Sequence, residues 1–125
     1  MEPMLMLKVA AALFALSAVG GLAMAGIRLM KKVNPPAWLA MLHGLMAAGG
    51  LTLLAYATLT ATVPALALYA LCLFAAAALG GLVLNLGYQW RNLPLPVGIM
   101  ILHASIAVAG FVMLLLVVFG PAAAA

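Results

Sequence analysis

Four long apolar runs, separated by three short breaks, constrain the fold of this chain more than any other feature. The runs cover residues 4–30, 36–60, 65–87 and 95–119. Each exceeds the roughly 20 residues that an α-helix needs to cross the hydrocarbon core of a bilayer. Backbone N–H and C=O groups find no water there, so each run should form a helix. The sequence therefore predicts an all-α membrane protein with four transmembrane helices.

The composition excludes a soluble domain, because 70% of the residues are hydrophobic and only 5% are charged. We expect a single transmembrane domain, 1–125, with the lipid bilayer as its surroundings. The net charge of +4 does not indicate nucleic-acid binding, since the basic residues cluster at one membrane edge. Cys72 is the single cysteine, and we expect it to be a small buried apolar residue. Glu2, the one carboxylate side chain, lies outside the predicted helices, which argues against proton-driven transport.

The basic residues predict the orientation of the helices. Arg28, Lys31, Lys32 and Arg91 lie at the first and third breaks. Because Lys and Arg are enriched in the cytoplasmic loops of membrane proteins, these two breaks should be cytoplasmic. Both termini would then lie outside. We expect an integral protein of the bacterial inner membrane with periplasmic termini.

The two halves of the chain resemble each other at an offset of sixty residues. Residues 10–55 align with residues 70–115 without a gap, and the matches include glycine pairs, a proline and both histidines. The sequence therefore predicts a duplicated helical hairpin with halves 1–60 and 61–125. A repeat unit with an even number of helices makes the two halves parallel. The second and fourth helices then run the same way, with their histidines at one depth.

His43 and His103 are the only histidines of the chain, and each follows a proline by seven residues. Short breaks favour an up-down bundle, in which the second and fourth helices are diagonal. Since neighbouring helix axes lie ~8–10 Å apart, the diagonal is about 11–14 Å, which suits one metal held from both sides. We predict that His43 and His103 are the axial ligands of one haem b.

Small residues lie at the depth where a porphyrin ring would stand between these histidines. Some belong to the first and third helices, and the others lie one and two turns deeper than each histidine. The residues predicted to clear space for the ring are Gly20, Gly21, Gly80, Gly81, Ala47, Gly50, Ala107 and Gly110. Helix packing in membranes also uses glycine and alanine, so that simpler role stays open.

Three polar residues are predicted to contact the cofactor. Arg28 and Tyr88 occupy matching positions near the predicted cytoplasmic interface, where they can receive the propionate carboxylates. Asn85 is the one amide deep in a helix and can bond a propionate or a histidine N–H. Two alternatives remain: Arg28 only sets the orientation of the helices in the membrane, and Asn85 forms a hydrogen bond between helices.

In this layout the chain resembles the small four-helix membrane b-type cytochromes, which hold haem between paired histidines on parallel helices. The resemblance covers the whole length and is architectural. Familiar members hold two haems and have at least four histidines, so two histidines imply one haem here. The resemblance implies electron transport, because a six-coordinate bis-histidine haem has no open position for catalysis. The expected partners are membrane quinone, a redox partner subunit or a second copy in a homo-oligomer.

Two other functions remain open from the sequence. Each histidine can ligate the magnesium of its own bacteriochlorophyll, which would make the chain a pigment protein. Alternatively, the chain is a cofactor-free structural subunit of a larger membrane complex. The sequence has no nucleophile–base pair and no phosphate-binding loop, so we do not expect enzyme activity of the chain alone.

Overall fold

The computed structural model describes residues 1–121, and within this range the chain is helical, without strands. The α-helices are α1 (Pro3–Lys31), α2 (Ala37–Thr60), α3 (Ala65–Leu82) and α4 (Val97–Phe119). A π-helix, Val83–Gln89, continues α3 directly. Each of the four spans is long and apolar enough to cross a membrane. The prediction of four long apolar helices is confirmed.

Local chemistry explains where the helices begin and end. The Glu2 carboxylate caps α1 by accepting the backbone N–H groups of Met4 and Leu5, each at 3.1 Å. Pro36, Pro64 and Pro96 precede the other three α-helices, where the missing proline N–H costs no helical hydrogen bond.

Two non-glycine residues with positive φ end the helices at the basic loops. Lys32 (φ 57°) follows α1, and Asn92 (φ 54°) lies shortly after the π-helix. The left-handed conformation stops the helical ladder at both places. These two residues lie sixty positions apart, so the first and third helices are followed by left-handed residues at matching points of the chain.

The helices form an up-down four-helix bundle. Each hairpin, α1–α2 and α3–α4, packs along its length, and the two hairpins meet through α1 against α4 and α2 against α3. The diagonals of the bundle are therefore α1/α3 and α2/α4. This is the helix arrangement predicted from the short breaks.

Packing divides the bundle into two halves. The buried residues of the helices all lie towards the end away from the basic loops. We call this end the closed half; it comprises residues 3–17, 50–60, 65–77 and 110–119. The remainder, which carries both histidines, is the histidine half; it comprises residues 18–31, 37–49, 78–89 and 97–109.

The centre of the closed half is an aromatic stack across one diagonal. The rings of Phe14 on α1 and Phe74 on α3 are parallel, with centroids 3.6 Å apart. Leu7, Leu54 and Leu114 are fully buried around them. Side chains from all four helices thus fill the bundle axis at this end.

The two basic loops close the opposite end through polar contacts. The Asn34 amide donates to the Leu93 carbonyl (2.7 Å) and accepts the Leu95 N–H (3.0 Å). The Gln89 amide donates to the Pro35 carbonyl at 2.7 Å. These hydrogen bonds therefore join the loop 32–36 to the loop 90–96. Through the loops, they also connect the two hairpins.

The surface of the bundle is apolar, with aromatic side chains near both ends. Trp38 and Trp90 are exposed beside the basic loops, and Tyr56 and Tyr69 are exposed at the other end. Such belts are typical of the two interfaces of a membrane. The expectation for Cys72 is wrong, because its side chain is exposed on α3; it lies on the outer face of the helix, away from the Phe74 stack.

Candidate functional site

The structure brings His43 and His103 together inside the histidine half. Each is the seventh residue of its helix, α2 or α4, and each is half-buried. Their ring centroids lie 6.2 Å apart, and the ring planes are inclined by 70°. Because α2 and α4 are diagonal, the two rings meet across the bundle axis. They occupy equivalent positions in their two helices.

A backbone carbonyl of the neighbouring helix fixes each imidazole. His43 Nδ1 lies 2.7 Å from the Ser17 carbonyl, and His103 Nδ1 lies 2.7 Å from the Ala77 carbonyl. A carbonyl oxygen only accepts, so both Nδ1 atoms carry the hydrogen and donate it. In a neutral imidazole the lone pair is then on Nε2. Among residues 1–121, neither Nε2 takes part in a hydrogen bond.

The glycine pairs lie directly beside these rings. A Cβ added at Gly21 would be 3.1 Å from His43 Cε1, and one added at Gly81 would be 3.3 Å from His103 Cε1. Gly20 and Gly80 face the Cβ atoms of the same histidines. We predicted that the pairs clear the edges of a macrocycle; in the structure they accommodate the imidazoles. Each histidine approaches the neighbouring helix closely to reach its carbonyl, and a side chain at Gly21 or Gly81 would crowd the imidazole.

Two of the four small residues predicted deeper along α2 and α4, Gly50 and Gly110, lie in the closed half. A Cβ at Gly50 would be 3.1 Å from the Phe14 ring, and one at Gly110 would be 3.2 Å from Leu73 Cβ. These two glycines therefore make room for the packing around the aromatic stack. Ala47 and Ala107 are half-buried between the stack and the histidines.

The predicted polar residues lie at the basic end, and the Arg28 side chain bonds to the protein backbone there. Arg28 Nε donates to the Leu95 carbonyl at 2.9 Å, which joins α1 to the loop before α4. Asn85 and Tyr88 belong to the π-helix and are half-buried. Asn85 is not the partner of either imidazole N–H, because backbone carbonyls hold both Nδ1 atoms.

Ser17 is the site residue that the sequence analysis missed. It is the one buried polar residue of the described range, at 4% exposure. Its hydroxyl lies 3.0 Å from His43 Nδ1 and donates to the His43 carbonyl at 3.1 Å. A signal existed, because Ser17 is the only polar residue between Lys8 and Arg28 and precedes Gly21 by one turn.

The helical residues of the histidine half are less buried than those of the closed half. They are half-buried or exposed, and none is fully buried. A groove of about 300 Å³ between α1 and α2 reaches His43 from the apolar surface. One side of His43 is therefore accessible from the surface of the bundle.

The separation of the two imidazoles matches that of two axial nitrogen ligands of one metal. With an imidazole nitrogen about 2 Å from a metal and about 1 Å from its ring centre, two rings across one metal have centres roughly 6 Å apart. The observed separation is 6.2 Å. Within residues 1–121 there is no cluster of three or more His, Cys, Asp or Glu side chains able to hold a bare ion.

Comparison with known proteins identifies no relative: no family model, curated protein or solved structure matches this chain.

Proposed function

We propose that this protein is a membrane b-type cytochrome that holds one haem b between His43 and His103 and transfers electrons. The observation that carries the proposal is the fixed imidazole pair. Each Nδ1 donates to a backbone carbonyl at 2.7 Å, which leaves each Nε2 available as a metal ligand. A hydrogen bond from the second ring nitrogen is the usual support of a ligating histidine.

Neighbouring residues orient the proposed ligands. Gly21 and Gly81 let each imidazole approach its carbonyl, and the Phe14–Phe74 stack closes the bundle on one side of the pair. When bound, a bis-histidine haem supplies reversible one-electron chemistry at an iron without an open coordination position. The protein is therefore a carrier, and its protein residues set the potential through burial and nearby charge.

The basic end of the bundle supports the proposed orientation of the cofactor. Arg28, Lys31, Lys32 and Arg91 concentrate positive charge there, where the propionates of the haem would be neutralised. The proposal places this end at the cytoplasmic surface of a bacterial inner membrane and both termini in the periplasm. Electrons would be exchanged with membrane quinone, with a redox partner subunit or with a second copy of the chain.

The matching contacts of the two hairpins support an origin by duplication. The separation of 26 residues between carbonyl and histidine occurs in both, from Ser17 to His43 and from Ala77 to His103. A duplicated hairpin would supply two ligands at equal depth from one ancestral histidine. We include in this proposal that the chain is related in architecture to the four-helix b-type cytochromes.

The absorption spectrum of the full chain, purified from haem-replete cells, tests the proposed function. We expect one haem per chain and a sharp α band on reduction. His43→Ala and His103→Ala should each remove that band, since one imidazole cannot complete the six-coordinate site. Ser105→Ala is the matched control, because its exposed hydroxyl only returns to the Ile101 carbonyl of its own helix.

Two outcomes would replace the proposal with its alternatives. Absorption bands of bacteriochlorophyll in protein from a photosynthetic host would make the chain a pigment protein. Colourless protein from haem-replete cells would favour a cofactor-free packing subunit of a larger complex.

A further inference from the structure

The two histidines have unequal surroundings although their carbonyl partners match. Ser17 contacts His43 at two points: its Oγ lies 3.0 Å from Nδ1, and its hydroxyl donates to the His43 backbone carbonyl at 3.1 Å. The His43 Nδ1–H is therefore shared between the Ser17 carbonyl and the Ser17 hydroxyl oxygen. The side chain and the backbone of His43 are fastened to one residue of α1.

His103 has only one of these contacts. Ala77 stands at the position that corresponds to Ser17 and offers its carbonyl at the same distance, 2.7 Å, but no hydroxyl. The His103 backbone carbonyl consequently gains no side-chain bond from α3. Because the carbonyl geometry is equal on both sides, the hydroxyl is the chemical difference between them.

The helix that supports His103 is also less regular. α3 ends as an α-helix at Leu82, the residue after Gly81, and a π-helix begins at Val83. In α1 the α-helical ladder continues without change past Gly21 to Lys31. Short π-helical turns often mark functional positions, because they give up regular hydrogen bonding.

We propose that His43 is the fixed ligand of the site and His103 the exchangeable one, with Ser17 as the positioning residue that makes them differ. The role of the histidines as ligands rests on the proposed function. The difference in their hydrogen bonds is a property of the chain without cofactor. A small neutral molecule that binds iron, such as carbon monoxide, would then compete with His103. While both histidines hold the iron, the site would have no open position; a small ligand would bind only where His103 has been displaced, on the α4 side.

Nuclear magnetic resonance of the chain without cofactor directly tests whether His43 is hydrogen-bonded more strongly than His103. We expect the Nδ1–H of His43 to exchange with water more slowly than that of His103, by on the order of 3–10-fold, the size of one net hydrogen bond. Ser17→Ala should remove the difference. Ala77→Ser should slow exchange at His103, and the double variant should reverse the order of the two histidines. Ala76→Ser, on the exposed face of α3, is the matched control.

Carbon monoxide binding to the reduced, haem-loaded protein tests the exchangeable ligand. We expect slow binding in the wild type and binding on the order of 3–10-fold slower in Ala77→Ser, because the added hydroxyl would hold His103 as Ser17 holds His43. Ala76→Ser should bind at the wild-type rate. A wild-type protein that binds no carbon monoxide, or an Ala77→Ser rate equal to the control, would overturn the assignment of His103.

The two experiments separate failure of this inference from failure of the proposed function. A chain that takes up no haem refutes the proposed function, while the exchange measurement still reports on Ser17. Equal exchange at the two histidines, or no response to Ser17→Ala, overturns the inference even if haem is bound.

Discussion

The two halves of the bundle are held by different kinds of interaction. In the closed half, apolar side chains from four helices surround the Phe14–Phe74 stack, and several are fully buried. In the histidine half, no helical residue is fully buried. Each imidazole bonds to a carbonyl at the edge of the closed half, and the Gln89 amide bonds to the loop after α1. The first half is a packed apolar core. In the second half, hydrogen bonds to backbone carbonyls fix two imidazoles among residues that are only partly buried.

The glycines divide in the same way. Gly50 and Gly110 accommodate the packing around the aromatic rings of the closed half, whereas Gly21 and Gly81 accommodate imidazoles. Glycines of the bundle thus have two roles: Gly50 and Gly110 allow core packing, and Gly21 and Gly81 adjoin the candidate site. A substitution in one set should affect stability, and a substitution in the other should affect ligand binding.

The largest effect should come from filling the space beside an imidazole. Gly21→Leu or Gly81→Leu would displace a histidine, because even a Cβ there lies 3.1 or 3.3 Å from the ring. We expect haem content to fall more than ten-fold, measured against protein by absorbance. Gly26→Leu is the control, since nothing lies within 4 Å of its added Cβ. Equal haem content in Gly21→Leu and Gly26→Leu would contradict the position of the site.

An intermediate effect should follow from a cavity in the closed half. Leu114→Ala removes a fully buried side chain and should lower the free energy of unfolding by about 2–4 kcal/mol. The visible spectrum of the protein that remains folded should not change, because the cavity lies away from the histidines. Thermal unfolding in detergent measures the loss, with Leu116→Ala on the exposed face as control. A shifted haem spectrum would show that the halves are not independent.

The smallest effect should come from the loops that join the hairpins at the basic end. Asn34→Ala removes two hydrogen bonds to the backbone around Leu93 and Leu95. Because this side chain is only half-buried, we expect a loss of about 1 kcal/mol in the free energy of unfolding. Hydrogen exchange of the loop amides should increase more than exchange in the closed half. No change in loop exchange relative to Thr52→Ala, a distant exposed hydroxyl, would exclude this tie.

The sequence predicts helix number, helix bounds and the pairing of diagonals, because these follow from apolar length and short loops. It also predicts that His43 and His103 share one depth. It does not predict which side of each helix faces which neighbour, since nearly uniform apolarity leaves the rotation about the helix axis undefined. For that reason Ser17 was missed, and the contacts between the glycine pairs and the imidazoles were not predicted. The π-helix at Val83–Gln89 contains no proline or charged residue from which it could be predicted.

We propose above all that His43 and His103 complete a single six-coordinate haem. Electron paramagnetic resonance of the oxidised protein tests it most directly. We predict a low-spin signal of two imidazole ligands with steeply inclined planes, following the 70° between the rings. The signal should disappear in His43→Ala and in His103→Ala. A high-spin signal from the wild-type protein, or protein without haem, would contradict the claim.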